Sequence, residues 1–94
     1  MADFNNAVIR LLNDALAAAD QATERFPQPN YVLLKVAEEA GEVVQAGVHC
    51  AEGRESYENL RKEIVQLIAM AIRLYVEGDQ VNGVKSVFEE YDRG

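Results

Sequence analysis

Glu38, Glu39 and Glu42 lie one helical turn apart in LKVAEEAGEVVQA, and Glu63 and Gln66 repeat the three-residue spacing in RKEIVQLIAMAI. Side chains three or four apart on a helix point the same way, so each set can aim oxygen ligands at one point between two antiparallel helices. Mg²⁺ takes oxygen ligands in octahedral geometry and keeps several waters, which leaves room for substrate phosphates. A metal-dependent enzyme acting on phosphates is the chemistry this spacing would serve. The same residues are open to two other readings. One is the solvated acidic face of an amphipathic helix, and the other is an inter-helix ion-pair network in which Arg73 or Lys62 meets the glutamates.

The elements that must position these residues read as helices. From Asp3 to about Glu24 the apolar residues Phe4, Ala7, Val8, Leu11, Leu12, Ala15, Ala18, Ala19 and Ala22 recur at the helical period. Pro27 and Pro29 end that helix, and Asn30 is the expected N-cap of a second one running to about Ala51. Gly53 stops it, and Ser56 or a neighbour starts a third that runs to about Glu77, giving an antiparallel hairpin across a short loop. Gly78 and Asp79 break and recap the chain before a weaker fourth helix marked by Val81, Val84, Phe88 and Tyr91. The expected fold is all-α, one domain over residues 1–94, a small antiparallel bundle of about four helices.

On the second helix Leu33, Val36, Ala37, Ala40, Val43, Val44, Gly47 and Val48 share a broad arc, with Glu38, Glu39, Glu42 and His49 on the other side. On the third, Leu60, Ile64, Leu67, Ile68, Ala71, Ile72, Leu74 and Tyr75 cover more than half the circumference, as burial on several sides requires. Glu63 sits at the edge of that apolar arc, where a carboxylate is desolvated unless paired with a cation.

A chain of 94 residues buries only about 60 to 65% of its unfolded surface, yet 49% of the residues are hydrophobic. Self-association is the natural outlet, so the bundle is expected to be completed by oligomerisation, as a homodimer or homotetramer. A formal net charge of −7 repels polyanions, so no nucleic acid polymer is expected as partner. A small nucleotide remains compatible if a cation neutralises its phosphates. Cys50 is the only cysteine and His49 the only histidine, which excludes an internal disulfide or a Cys/His zinc cluster within one chain and fits a reducing cytoplasm. The two are sequence neighbours about 100° apart on a helix, which argues against a Cys/His nucleophile, and His49 reads best as a solvated side chain. MADFNNAVIRLLNDA lacks the basic start and apolar run of a signal peptide, and no stretch approaches about 18 apolar residues, so no membrane association is expected. Tyr31, Tyr57, Tyr75 and Tyr91 are expected in the core or at interfaces.

With these residues in place, the segment from about Leu33 to Asp79 resembles the MazG-like all-α nucleoside triphosphate pyrophosphohydrolases of the small phage and bacterial type. Their pattern is EExxE followed, after a variable gap, by ExxD. Glu38, Glu39 and Glu42 match the first element and Glu63 opens the second, with Gln66 in place of the aspartate. The resemblance implies that Glu39, Glu42 and Glu63, with Gln66 in the fourth position, coordinate Mg²⁺ or Mn²⁺, while Glu38 binds metal or orients the attacking water. It also implies attack at the α-phosphorus, with release of a nucleoside monophosphate and pyrophosphate. Lys35, Lys62 and Arg73 are candidate phosphate contacts that the motif itself does not assign.

An amide oxygen can ligate magnesium but brings no charge, so Gln66 implies weaker ion binding than a fourth carboxylate. Phosphoribosyl-ATP pyrophosphohydrolase, similar in size and in its KVxEEAxE run, is the second enzymatic reading. It would normally carry an acid and a histidine in the third helix, where this chain has Gln66 and Ile68 to Ala71. A non-catalytic helical interaction module with a degenerate metal site is the reading outside enzymes.

Overall fold

The structure is a computed structural model that describes residues 2–93. Three long helices form: α1 (Ala2–Arg25), α2 (Val32–Ala51) and α3 (Tyr57–Glu77), followed by a short fourth helix of π type at Phe88–Asp92. The breaks fall where the sequence places backbone punctuation. The Phe26 amide closes the last turn of α1 on the Ala22 carbonyl at 2.8 Å, and Pro27, which has no amide hydrogen, follows. Ser56 caps α3, its hydroxyl oxygen accepting the Asn59 amide at 3.1 Å.

One cap differs from expectation. Asn30 does not cap α2; its side-chain amide donates to the Phe26 carbonyl instead, and the flanking residue Tyr31 makes no side-chain cap. The cap comes from the chain just beyond α3. Asp79 is fully buried, and its Oδ2 accepts the Leu33 amide at 2.8 Å. A carboxylate at this helix end satisfies an otherwise open amide and complements the helix dipole. Burial pushes the Asp79 carboxyl up, but hydrogen bonds from the Asn82 side chain and from the Leu33, Asn82 and Val81 amides outweigh it and hold the group below its usual range.

Asp79 also accounts for the late start and short length of the fourth helix. Its amide and carbonyl pair with those of Val84 at 2.8 and 2.9 Å, and its Oδ1 accepts the Asn82 amide, so residues 79–84 close into a turn. Gly78 precedes that turn and Gly83 lies within it, with φ of 73° and 74°. The short π-type helix forms beyond it, and its Phe88 packs edge-on against Tyr75 of α3 with ring centroids 6.3 Å apart.

Helix α3 is the spine. Both α1 and α2 pack on it, while no Cα of α1 comes within 8 Å of α2 among the described residues. Lys35, Glu38 and Glu39 lie opposite Gln66, Met70 and Arg73, and Gln45, Ala46 and His49 lie opposite Glu55, Asn59 and Glu63, so α2 and α3 are antiparallel. Asp14 pairs with Arg61 and Thr23 hydrogen-bonds Glu77, so α1 runs parallel to α3. Ala19, Ala69 and Met70 form the buried centre, with Ala18, Ala22, Val36 and Ile72 packed around it. Small side chains on both sides let the helices approach closely.

The apolar arc expected on α2 is split. Val36, Ala40, Val43 and Gly47 are half-buried toward α3, whereas Leu33, Ala37, Val44 and Val48 are exposed, Val44 at 66% and Val48 at 51%. Leu34, at 62%, joins them. Glu39 and Glu42 take half-buried places on the inner side. The four tyrosines are likewise exposed and not in the core, because the single layer of helices has no second side to cover them. No helix among the described residues is long and apolar enough to cross a membrane.

A hub of polar groups ties one end of this layer together. Arg73, 1% exposed, donates to Glu77 at 2.9 Å and to the Phe26 carbonyl, while Glu77 also receives Thr23 and Gln28. Burial pushes the Glu77 carboxyl up, but the hydrogen bonds from Thr23, Arg73 and Gln28, together with the Arg73 charge, hold it below the usual carboxylate range. Gly78 continues the hub, and a Cβ there would stand 2.2 Å from the Val84 carbonyl oxygen. Gly78→Ala is therefore expected to cost at least about 2 kcal/mol, and Gly83→Ala, which meets open space, only about 1 kcal/mol. Urea unfolding of the two variants checks this; equal losses would contradict it.

Candidate metal centre

Four carboxylates converge where α2 faces α3. One oxygen from each of Glu38, Glu39 and Glu42 lies within 4.8 Å of the others. Glu42 is central, within hydrogen-bonding reach of both Glu39 on its own helix and Glu63 on α3. Burial, then the charge of and hydrogen bond to Glu42, then the charges of Glu63 and Glu38, push the Glu39 carboxyl up to about 7. Glu63 is raised by burial, by its hydrogen bond to Glu42 and by the charges of Glu42 and Glu55. Like charges held this close resist ionising together, and a shared proton or a cation relieves them.

The network of Arg73 or Lys62 with these glutamates does not form: Arg73 bonds Glu77, and Lys62 is exposed and makes no ion pair with them. Glu39 instead keeps Oε2 buried with no hydrogen-bond partner. An unpaired buried polar atom costs about 1–3 kcal/mol, and more when charged. The all-oxygen donor set, the mutual repulsion and the orphaned Oε2 together make a place that can hold a hard divalent cation.

The carboxylates form a ridge with a cleft on each side. On one side a cleft of about 140 Å³ is lined by Lys35, Glu38, Glu39, Gln66 and Arg73, with Phe26 and Met70 on its apolar walls. The Lys35 ammonium sits 5.1 Å from the centre of the Phe26 ring. Arg73 also lines this cleft, and its Nη1 is buried without an acceptor. On the other side a groove of about 340 Å³ is lined by Glu42, Gln45, His49, Glu55, Asn59 and Glu63.

Of the candidate site residues, Glu38, Glu39, Gln66, Lys35 and Arg73 share the first cleft, and Glu42 and Glu63 line the second; Lys62 joins neither. His49 faces the groove beside Glu42 and is only half-exposed. Cys50 is buried, its thiol donating to the Ser56 carbonyl at 3.3 Å, and has no base beside it. Gln45 and Asn59 were not singled out from the sequence. The signal lies in the spacing: Glu42, Gln45 and His49 fall at i, i+3 and i+7 of one helix face, and Asn59 precedes Glu63 by four.

No protein-family model, no curated protein and no solved structure matches this chain.

The raised Glu39 carboxyl makes stability depend on pH when metal is absent. Below its ordinary 4.5 Glu39 is protonated folded or unfolded; as pH rises the unfolded chain ionises first, so the stabilisation is lost by the time pH passes about 7. Glu77 and Asp79, both lowered, act with the opposite sign, so the test is a difference. In chelator-treated samples the melting temperature of Glu39→Gln should gain on the native chain as pH rises from about 5 to 8. A difference that does not change with pH would contradict the raised carboxyl.

Proposed function

We propose that this chain is a divalent-metal-dependent pyrophosphohydrolase of nucleoside triphosphates, as its resemblance to the MazG-like enzymes implies, cleaving between the α and β phosphates. The observation that carries the reading is the orientation of α2. The helix turns Glu39 and Glu42 toward α3 and leaves Leu34, Val44 and Val48 outside. Apolar burial alone favours the reverse, at about 25 cal/mol per Å². Local rules are broken in this way where a site demands it.

Mg²⁺ or Mn²⁺ suits the donor set, with Glu39, Glu42 and Glu63 as carboxylate ligands and the Gln66 amide oxygen as an uncharged one. When bound, such an ion neutralises triphosphate charge and makes a coordinated water a better nucleophile. The chain's own part is to hold and orient. In this reading Glu38, the exposed member of the cluster, orients the attacking water and takes its proton. Glu42, in reach of both Glu39 and Glu63, fixes the spacing of the ligand carboxylates. The packed Ala19, Ala69 and Met70 layer holds α3 rigid behind them.

A second copy of the chain is the occupant proposed for the outer face of α2. Leu33, Leu34, Ala37, Val44 and Val48 form an uncharged, exposed stripe there, and homodimers or homotetramers that bury it would complete a bundle. A cytoplasmic setting fits the single buried, free thiol.

Pyrophosphate release from a panel of canonical and modified nucleoside triphosphates tests the activity. Glu42→Gln should lower kcat/KM at least about a hundredfold, while Gln66→Asp should keep or raise it. No release across the panel with either metal would favour the interaction module. Sedimentation tests the assembly: the native chain should run as an oligomer and Val44→Glu/Val48→Glu as a folded monomer. A monomeric native chain would remove the assembly.

A further inference from the structure

The cleft and the groove on the two sides of the carboxylate ridge differ in charge. Lys35 and Arg73 both line the cleft, and among the described residues neither Lys nor Arg lines the groove. The groove instead combines Glu42, Glu55 and Glu63 with the amides of Gln45 and Asn59 and the imidazole of His49. Its carboxylates repel a polyphosphate. Its amides and imidazole offer the donors and acceptors that a base edge or a ribose hydroxyl needs.

Arg73 supplies an observation independent of the acidic cluster. It is 1% exposed and pinned by Glu77 and by the Phe26 carbonyl, yet its Nη1 finds no acceptor in the protein. A buried guanidinium that lines a cleft and has hydrogen-bonding capacity left over favours an anion there. Lys35, held over the Phe26 ring whose carbonyl receives Arg73, adds a second positive charge to the same cleft.

The geometry points to a fixed polarity of the substrate across the ridge: its polyphosphate chain lies in the cleft of Lys35 and Arg73, and its nucleoside lies in the groove of Gln45, His49 and Asn59. This rests on the hydrolytic reading above and adds to it the direction of the substrate and the residues that select the base. The α-phosphorus then sits at the ridge, where one end of the substrate must pass into the other. As a water oxygen bonds to the α-phosphorus, the bridging oxygen departs with its electron pair on pyrophosphate beside Lys35 and Arg73, and the water proton passes to a ridge carboxylate. Positive groups beside the departing pyrophosphate stabilise the charge that develops on it. The groove is also the larger space, about 340 Å³ against 140 Å³, as a base with its sugar requires.

Amide chemical shifts of the ¹⁵N-labelled chain with Mg²⁺ read this directly, with inorganic tripolyphosphate as one probe and purine and pyrimidine nucleoside monophosphates as the others. Tripolyphosphate should move the signals of Phe26, Lys35 and Arg73 and spare Gln45, His49 and Asn59, while the monophosphates should move the latter set. Removal of Arg73 threatens the fold, so Lys35→Gln is the variant of choice, and it should weaken tripolyphosphate binding about tenfold. Asn59→Ala should leave that binding unchanged and alter the purine-to-pyrimidine affinity ratio at least about threefold. Tripolyphosphate that moves nothing or moves the groove set, or an Asn59→Ala that weakens all bases equally, would overturn the assignment. The two readings separate cleanly. Pyrophosphate release with the wrong shift pattern sinks the polarity alone, and the right shift pattern without release from any triphosphate sinks the hydrolysis alone.

Discussion

Helix α2 is set with its acids inward. Glu39 and Glu42 occupy half-buried positions against α3, while an uncharged stripe containing Leu34, Val44 and Val48 faces out. A helix of this composition, left to burial of its whole apolar arc, would roll by roughly a quarter turn. What prevents the roll is fixed at its ends. Asp79, just past the C-terminal end of α3, caps α2 at Leu33, and the short loop to the Ser56 cap holds the other end. The hub of Arg73, Glu77, Thr23 and Gln28 then locks α1 to the same end of α3. Rotation of α2 would have to break a buried charge-assisted hydrogen bond before it gained any apolar contact.

This arrangement leaves two surfaces short of partners, and they lie on opposite sides of one helix. Inside, carboxyls that repel one another and an unpartnered Glu39 oxygen favour a cation. Outside, exposed valines and leucines favour a protein surface. The proposal of a metal site and the proposal of self-association therefore share a cause. Cation binding and assembly should also stabilise each other, because each rewards the same rotational setting of α2.

Much of the fold was legible because its boundaries are written in local chemistry. Pro27, Gly53, Ser56 and Gly78 each act on neighbours within a few residues, and the helices end beside them. The misses are long-range. Asp79 caps α2 through the Leu33 amide, 46 residues before it, and no local rule prefers it to Asn30. That same bond and the Val84 pairing consumed the residues expected to start a fourth helix. The carboxylate spacing at Glu38, Glu39, Glu42 and Glu63 was visible as a pattern, but which way the pattern faced was not, since the amphipathic period of α2 points its apolar arc at a core the single chain does not provide. Lys62 and Arg73 looked equivalent as polar positions of α3; burial by α1 and the tie to Glu77 separated them.

The central claim is that the inward acids of α2 hold a divalent cation between α2 and α3. Paramagnetic broadening of amide signals by substoichiometric Mn²⁺ locates the ion without reliance on turnover. The account predicts loss of signal centred on Glu39, Glu42 and Glu63, relieved by excess Mg²⁺ and abolished in Glu39→Gln. Broadening spread over the exposed acids of the chain, with no focus between the two helices and no change in Glu39→Gln, would contradict it.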